Sequence, residues 1–152
     1  MINLFVRQTQ GLKRLDPSPA TLPDDCIWVD LLEPSPDEER MIEQALAIDV
    51  PTREEMKEIE ASSRLYEEHG ALFMTATVAT KLDTDLPEST QVTFILAKNR
   101  LVTNRYVDPL PFRRFIAYAE RHPATCTSAP VVLAGLIESV INRIADVLER
   151  VG

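Results

Sequence analysis

Glycine is scarce in this 152-residue chain. Gly11, Gly70, Gly135 and Gly152 are too few and too scattered to build a loop that cradles phosphates, which excludes kinase- and dehydrogenase-type nucleotide binding. Cysteine is scarcer still: Cys26 and Cys126 show no Cys-x-x-Cys or Cys/His spacing, so neither zinc nor redox chemistry is indicated, and both are expected to be buried, reduced thiols. The two histidines, His69 and His122, have no serine or cysteine motif near them in sequence, and acid–base or nucleophilic catalysis finds no constellation here. Long apolar runs are missing too. Ile2, Leu4, Phe5 and Val6 are cut off by Arg7 and Gln8, short of a signal-peptide core. The stretch from Val131 to Ile141 is interrupted by Glu138 and Ser139 and falls short of the roughly 20 residues a bilayer span needs.

Basic charge is in deficit as well. Sixteen lysines and arginines face 24 acids, a net charge of −8, which disfavours a nucleic-acid partner. Residues 33 to 60 carry ten acids (Glu33, Asp37, Glu38, Glu39, Glu43, Asp49, Glu54, Glu55, Glu58 and Glu60) against Arg40, Arg53 and Lys57. Solvated helix faces explain such a run without further function, while divalent cations supply the functional alternative. Mg²⁺ in particular needs only one or two carboxylates, since it keeps most of its water.

What is present reads as one folded domain with a change of period along it. Residues 2 to 7 and 12 to 15 form a hairpin around Gly11, followed by a proline-rich loop (Pro17, Pro19, Pro23). A strand from Ile27 to Leu31 should place Ile27, Val29 and Leu31 on one face and Trp28 and Asp30 on the other. Ser35-Pro36-Asp37-Glu38 and Thr52-Arg53-Glu54-Glu55 are capping-box signatures that predict helices over Ser35–Leu46 and Thr52–Glu60. Met41, Ile42, Ala45 and Leu46 give the first an apolar face, and Met56 and Ile59 give the second a narrow buried edge. Strand pairs follow: 65–67 with 71–80 around His69-Gly70, and 91–97 with 100–106 around Lys98-Asn99. Residues 83 to 88 form a surface loop between them. Phe5, Trp28, Phe73, Phe94 and Phe115 sit at core spacing.

The last third is helical. Phe112, Phe115, Ile116 and Ala119 mark a first helix, ended by Pro123. Leu133, Ile137, Val140, Ile144, Val147 and Val151 then repeat at intervals of four and three, an a/d seam still periodic one residue before the end, so the helix is expected to continue beyond residue 152. The predicted fold is a three-layer α/β/α domain with a mixed, largely antiparallel sheet of about six or seven strands, followed by the start of a long helix. Residues 1–126 would form the domain and 127–152 the helix, with the seam as the contact surface for self-association.

Three blocks, WVDLLEP (28–34), PTREEMKEIEASSRLYEE (51–68) and FILAKNRLVTNR (94–105), together resemble the N-terminal cytoplasmic domain of the CorA-type magnesium transporter family. The resemblance spans the chain, but the family's two C-terminal transmembrane helices and Gly-Met-Asn signature are absent. It implies a homopentameric channel parent on the cytoplasmic side of the inner membrane, reaching the membrane only through those missing helices. The 152 residues themselves would be soluble, non-enzymatic, and concerned with sensing a divalent cation (Mg²⁺, or Co²⁺, Ni²⁺ or Zn²⁺) bound weakly between subunits. By position, Glu55 and then Glu54 are the implied regulatory metal ligands. Two readings from other classes stand beside it: an interaction adaptor using the acidic helices or the seam, and a metal-dependent hydrolase using Asp30, Glu33 and the Asp83/Asp85 loop.

Overall fold

A computed structural model describes residues 1–16, 19–60 and 64–151; Pro17 of the proline-rich loop and Gly152 lie outside them. Among the described residues seven strands form one sheet: β1 (Ile2–Gln8), β2 (Gly11–Arg14), β3 (Cys26–Leu32), β4 (Leu65–Glu68), β5 (Ala71–Thr80), β6 (Glu88–Ala97) and β7 (Arg100–Arg105). Four α-helices accompany them: α1 (Pro36–Leu46), α2 (Arg53–Glu58), α3 (Leu110–Ala119) and α4 (Ala129–Val151), with a 3₁₀ turn at Pro123–Cys126 before the last. The sheet order is β2-β1-β3-β7-β6-β5-β4. Only the central pair, β3 with β7, is parallel, so the sheet is mixed and largely antiparallel as expected.

Local chemistry explains most boundaries. Ser35 caps α1 in both directions: its hydroxyl accepts from the Glu38 amide and the Glu38 carboxylate accepts from the Ser35 amide. The β6–β7 hairpin turns in two residues, with Lys98 and Asn99 both at positive φ, the geometry that matches strand twist. Gly11 is required where it stands, at φ 140°, because a Cβ there would meet the Ala119 carbonyl oxygen at 2.2 Å.

Two cores flank the sheet. Leu4, Val29, Leu31, Phe73, Ile95 and Val102 face α1, which contributes Ile42 and Leu46. Phe5, Trp28, Phe94 and Leu101 face α3 and α4, which contribute Phe112, Phe115, Val132 and Leu136. Trp28 is fully buried, stacked on Phe5 with ring centroids 4.4 Å apart and met edge-on by Phe115.

Three details differ from the sequence-based expectation. Val6 pairs with Cys26 while Phe5 pairs with Trp28, so Ile27 is the extra residue of a β-bulge. Alternation breaks there: Ile27 packs on the Trp28 side and Cys26 joins Val29 and Leu31. The second helix stops at Glu58, because Ile59 is extended (φ −61°, ψ 123°) and only half-buried. Glu88 belongs to β6 rather than the preceding loop, paired with Thr80. In α4 the face buried against this domain runs through Ala129, Val132, Leu136 and Arg143, one position before the seam expected to meet a partner.

Candidate functional site

Helix α2 is short but firmly seated. Thr52 and Glu55 form the second capping box, the Glu55 amide donating to Thr52 Oγ1 and the Thr52 amide to Glu55 Oε1, both at 3.1 Å. Met56 is 1% exposed beneath the helix. Asn104, buried on β7, donates to the Pro51 carbonyl at 2.9 Å and reaches Met56 Sδ at 3.5 Å, tying the helix start to the centre of the sheet. Thr52, Arg53, Glu54 and Glu55 all remain exposed. The two carboxylates therefore stand in solvent on a backbone that cannot easily shift, at the positive end of a helix.

Their neighbours differ. The Tyr106 hydroxyl is pushed up by burial and further by the charges of Glu39 and Glu54, against a hydrogen bond from Asn104 and the charge of Arg53. Arg53 lies over the Tyr106 ring, 5.3 Å from its centre. Tyr66 is likewise raised, by burial and then by Glu68, Glu55 and Asp49. Glu54 thus acts on Tyr106 and Glu55 on Tyr66. Among the described residues no three of His, Cys, Asp or Glu come together to hold a metal ion. Glu54 and Glu55 can offer one or two oxygens, which suits a largely hydrated Mg²⁺ and not a fully protein-ligated ion.

The hydrolase carboxylates do not assemble. Asp30 is fully buried and claimed by Arg105, whose Nε and Nη2 donate to its two oxygens at 2.9 and 2.7 Å. Thr103 donates to the same carboxylate at 2.7 Å and accepts from Trp28 Nε1 at 3.0 Å. Arg105 completes its set with the Val107 carbonyl and Asp108, and covers the Phe112 ring at 4.6 Å. This network is structural: two buried charges neutralise and hydrogen-bond each other. Reading along the sequence did not find it. The trace it left was a polar residue at alternate positions in two β-favouring runs, Trp28-x-Asp30 and Leu101-x-Thr103-x-Arg105, which the parallel register brings side by side.

Helix α4 presents a second candidate surface. Close packing on α3 depends on Gly135, where a Cβ would come within 2.3 Å of the Phe115 ring. Ser139 donates to the Pro111 carbonyl at 2.8 Å, and Arg114 pairs with Asp146 at 3.6 Å. Of the predicted seam, Leu133, Ile137, Val140 and Val147 are half-buried, whereas Ile144 and Val151 are exposed, alongside Ile141 and Leu148. No helix among the described residues is long and apolar enough to cross a membrane.

A mixed seven-stranded α/β domain with paired carboxylates on an anchored helix start, and with an apolar stripe on its last helix, is the class the geometry defines. Comparison with known proteins names it. The profile of the CorA-like Mg²⁺ transporter protein family matches residues 23–152, and the chain belongs to that family. The magnesium transport protein CorA of Mannheimia succiniciproducens is 30% identical over 151 residues, covering 99% of this chain and 48% of that one. The chain spans about half the length of the curated relatives it matches. Among solved structures, the soluble domain of CorA from Methanocaldococcus jannaschii superposes with a TM-score of 0.71 at 12% identity, covering 99% of this chain and 60% of that one. The ZntB cytoplasmic domain from Vibrio parahaemolyticus gives 0.70 at 13% identity, covering 97% and 60%. These two share the fold.

Proposed function

We propose that this chain is the cytoplasmic, divalent-cation-responsive part of a CorA-type transporter of magnesium or a related metal. The observation that carries the reading is the pair Glu54 and Glu55, exposed on a helix start fixed by its capping box and by Asn104, in a chain of this family. Mg²⁺ would bridge charge between subunits, taking an oxygen or two here and keeping water elsewhere, with its remaining ligands from a neighbouring subunit of a homopentamer. Glu55 can serve the cap through one carboxylate oxygen while the other meets the ion. Residues 1–126 would form the sensing domain. Residues 127–152 would start the helix that leads toward the membrane, its stripe of Leu133, Ile137, Val140, Ile144, Val147 and Val151 packing on other helices of the assembly. Loss of the cation would release the repulsion between facing carboxylates, and that repulsion is the force available to open a pore.

Sedimentation of the chain with and without saturating Mg²⁺ tests the reading. Mg²⁺ should shift the chain toward larger species, and Glu54→Gln with Glu55→Gln should remove the shift. Gln at position 55 keeps the capping box while deleting the charge. Association that ignores Mg²⁺, or that persists unchanged in the double variant, would favour an interaction module working through α4 alone.

A further inference from the structure

The fold buries two arginines, and they are treated very differently. Arg105 uses its guanidinium on Asp30, Asp108 and the Val107 carbonyl. Arg143, on α4, has a side chain only 7% exposed, yet among the described residues its guanidinium makes no hydrogen bond. Its one charge partner is Asp83 at 3.9 Å, beyond hydrogen-bond range, in a loop where that aspartate is 65% exposed. A guanidinium has five donors, and among the described residues no Arg143 nitrogen is sealed from solvent, so these donors are open to whatever occupies the space beside them. The head of Arg143 borders a cavity of about 450 Å³ between the β5–β6 loop, the start of α3 and α4.

We propose that this cavity binds a small, singly charged oxyanion on Arg143, either a carboxylate or a phosphate monoanion. The start of α3 opens on the same space, and its first turn has no side-chain cap, so its dipole adds positive potential there. The charges on the wall set the valence. Lys81 is paired with Glu88 at 3.1 Å and Arg113 with Asp108 at 3.3 Å, and both pairs lie at the rim. Asp83 alone competes for Arg143, and it can swing into solvent. With Asp83 out, Lys81, Arg113 and Arg143 face Glu88 and Asp108, which leaves one positive charge for the ligand. A dianion would be over-charged for the site. Bidentate pairing with the guanidinium supplies the recognition, in the way Arg105 already grips Asp30.

The test is an NMR titration of the chain with sodium acetate and, separately, with inorganic phosphate, at a pH below the second ionisation of phosphate so that it is a monoanion, and at constant ionic strength balanced by chloride. Saturable shifts should converge on Arg143 and Leu110, and the tighter probe identifies the ligand as planar or tetrahedral. Asp83→Asn removes the competitor from an exposed loop and should tighten binding about two- to fivefold. Arg143→Gln should abolish it. Arg143→Lys keeps the buried charge without the fork and should weaken binding about threefold or more, guarding against a folding defect in the Gln variant. Absence of saturable shifts with both probes, binding unchanged in Arg143→Gln, or weaker binding in Asp83→Asn would each overturn the proposal.

Discussion

Replacing Arg105 by methionine removes one member of the buried Asp30 pair and leaves most of the surrounding apolar volume filled. Asp30 would then hold a carboxylate at zero exposure with only Thr103, at 2.7 Å, and Asn3, at 3.5 Å, to stabilise it. Stranding a buried charge in this way costs about 3–5 kcal/mol. The lost contact with the Phe112 ring adds about 1 kcal/mol to that. For a chain of this size each kcal/mol moves the melting temperature by roughly 2–4 °C, so a fall of roughly 8–24 °C is expected. Urea unfolding followed by circular dichroism measures the free energy directly. Adding Asp30→Asn to Arg105→Met should recover about 1–3 kcal/mol, because the stranded charge is gone. Asp108→Asn is the control: Asp108 is 44% exposed, and its pair with Arg105 should contribute only about 1 kcal/mol or less. A loss under about 1 kcal/mol in Arg105→Met, or a double variant no more stable than the single one, would refute the claim that this pair holds β3 to β7.

Gly135→Ala should destabilise the chain by about 1 kcal/mol, since overpacking against Phe115 at about 1–3 kcal/mol exceeds the helix-propensity gain; melting checks it, and a stabilised variant would mean that α3 and α4 are free to move apart. Burial pushes the Cys26 thiol up to about 11 and also raises Cys126, so neither should react with a thiol reagent at pH 8 until the chain unfolds. Glu38 is pushed up by burial, but the Ser35 amide and the N-terminal ammonium at 3.1 Å outweigh this and hold its carboxyl below the usual 4.5. A depressed carboxyl stabilises the fold above its unfolded value and loses that contribution as pH falls through the folded one, so the α1 start should loosen on acidification below about 4.5, and Glu38→Gln should flatten that part of the pH–stability curve. Ile144→Glu with Leu148→Glu should make the chain more monomeric in sedimentation while leaving its melting largely unchanged, because both side chains are exposed.

The features that could be read ahead of the structure are those encoded within a few residues. Ser35–Glu38 and Thr52–Glu55 each specify a helix start through reciprocal bonds across three positions, and the two-residue turns at His69-Gly70 and Lys98-Asn99 fix the registers of their hairpins. What escaped depends on distant partners. Ile27 changes face because β1 imposes a bulge on β3, which the apolar alternation of β3 cannot register. Asp30 and Arg105 lie 75 residues apart and meet only through the parallel β3–β7 pair, so Asp30 could be offered as a hydrolase carboxylate. The heptad seam of α4 was visible, but the close approach of Gly135 to Phe115, which lets the adjoining stripe pack on α3, has no local signature. Glu54 and Glu55 were placed correctly on an exposed helix start, whereas the anchoring of that helix by Asn104 has no local signature.

The claim that Glu54 and Glu55 form part of a metal site, completed only by another subunit, is tested most directly by calorimetric titration of the chain with Mg²⁺. The expected result is a dissociation constant of about a millimolar or weaker, weakened further by Glu54→Gln with Glu55→Gln. A stoichiometric site in the low micromolar range, or binding untouched by the double substitution, would contradict the account.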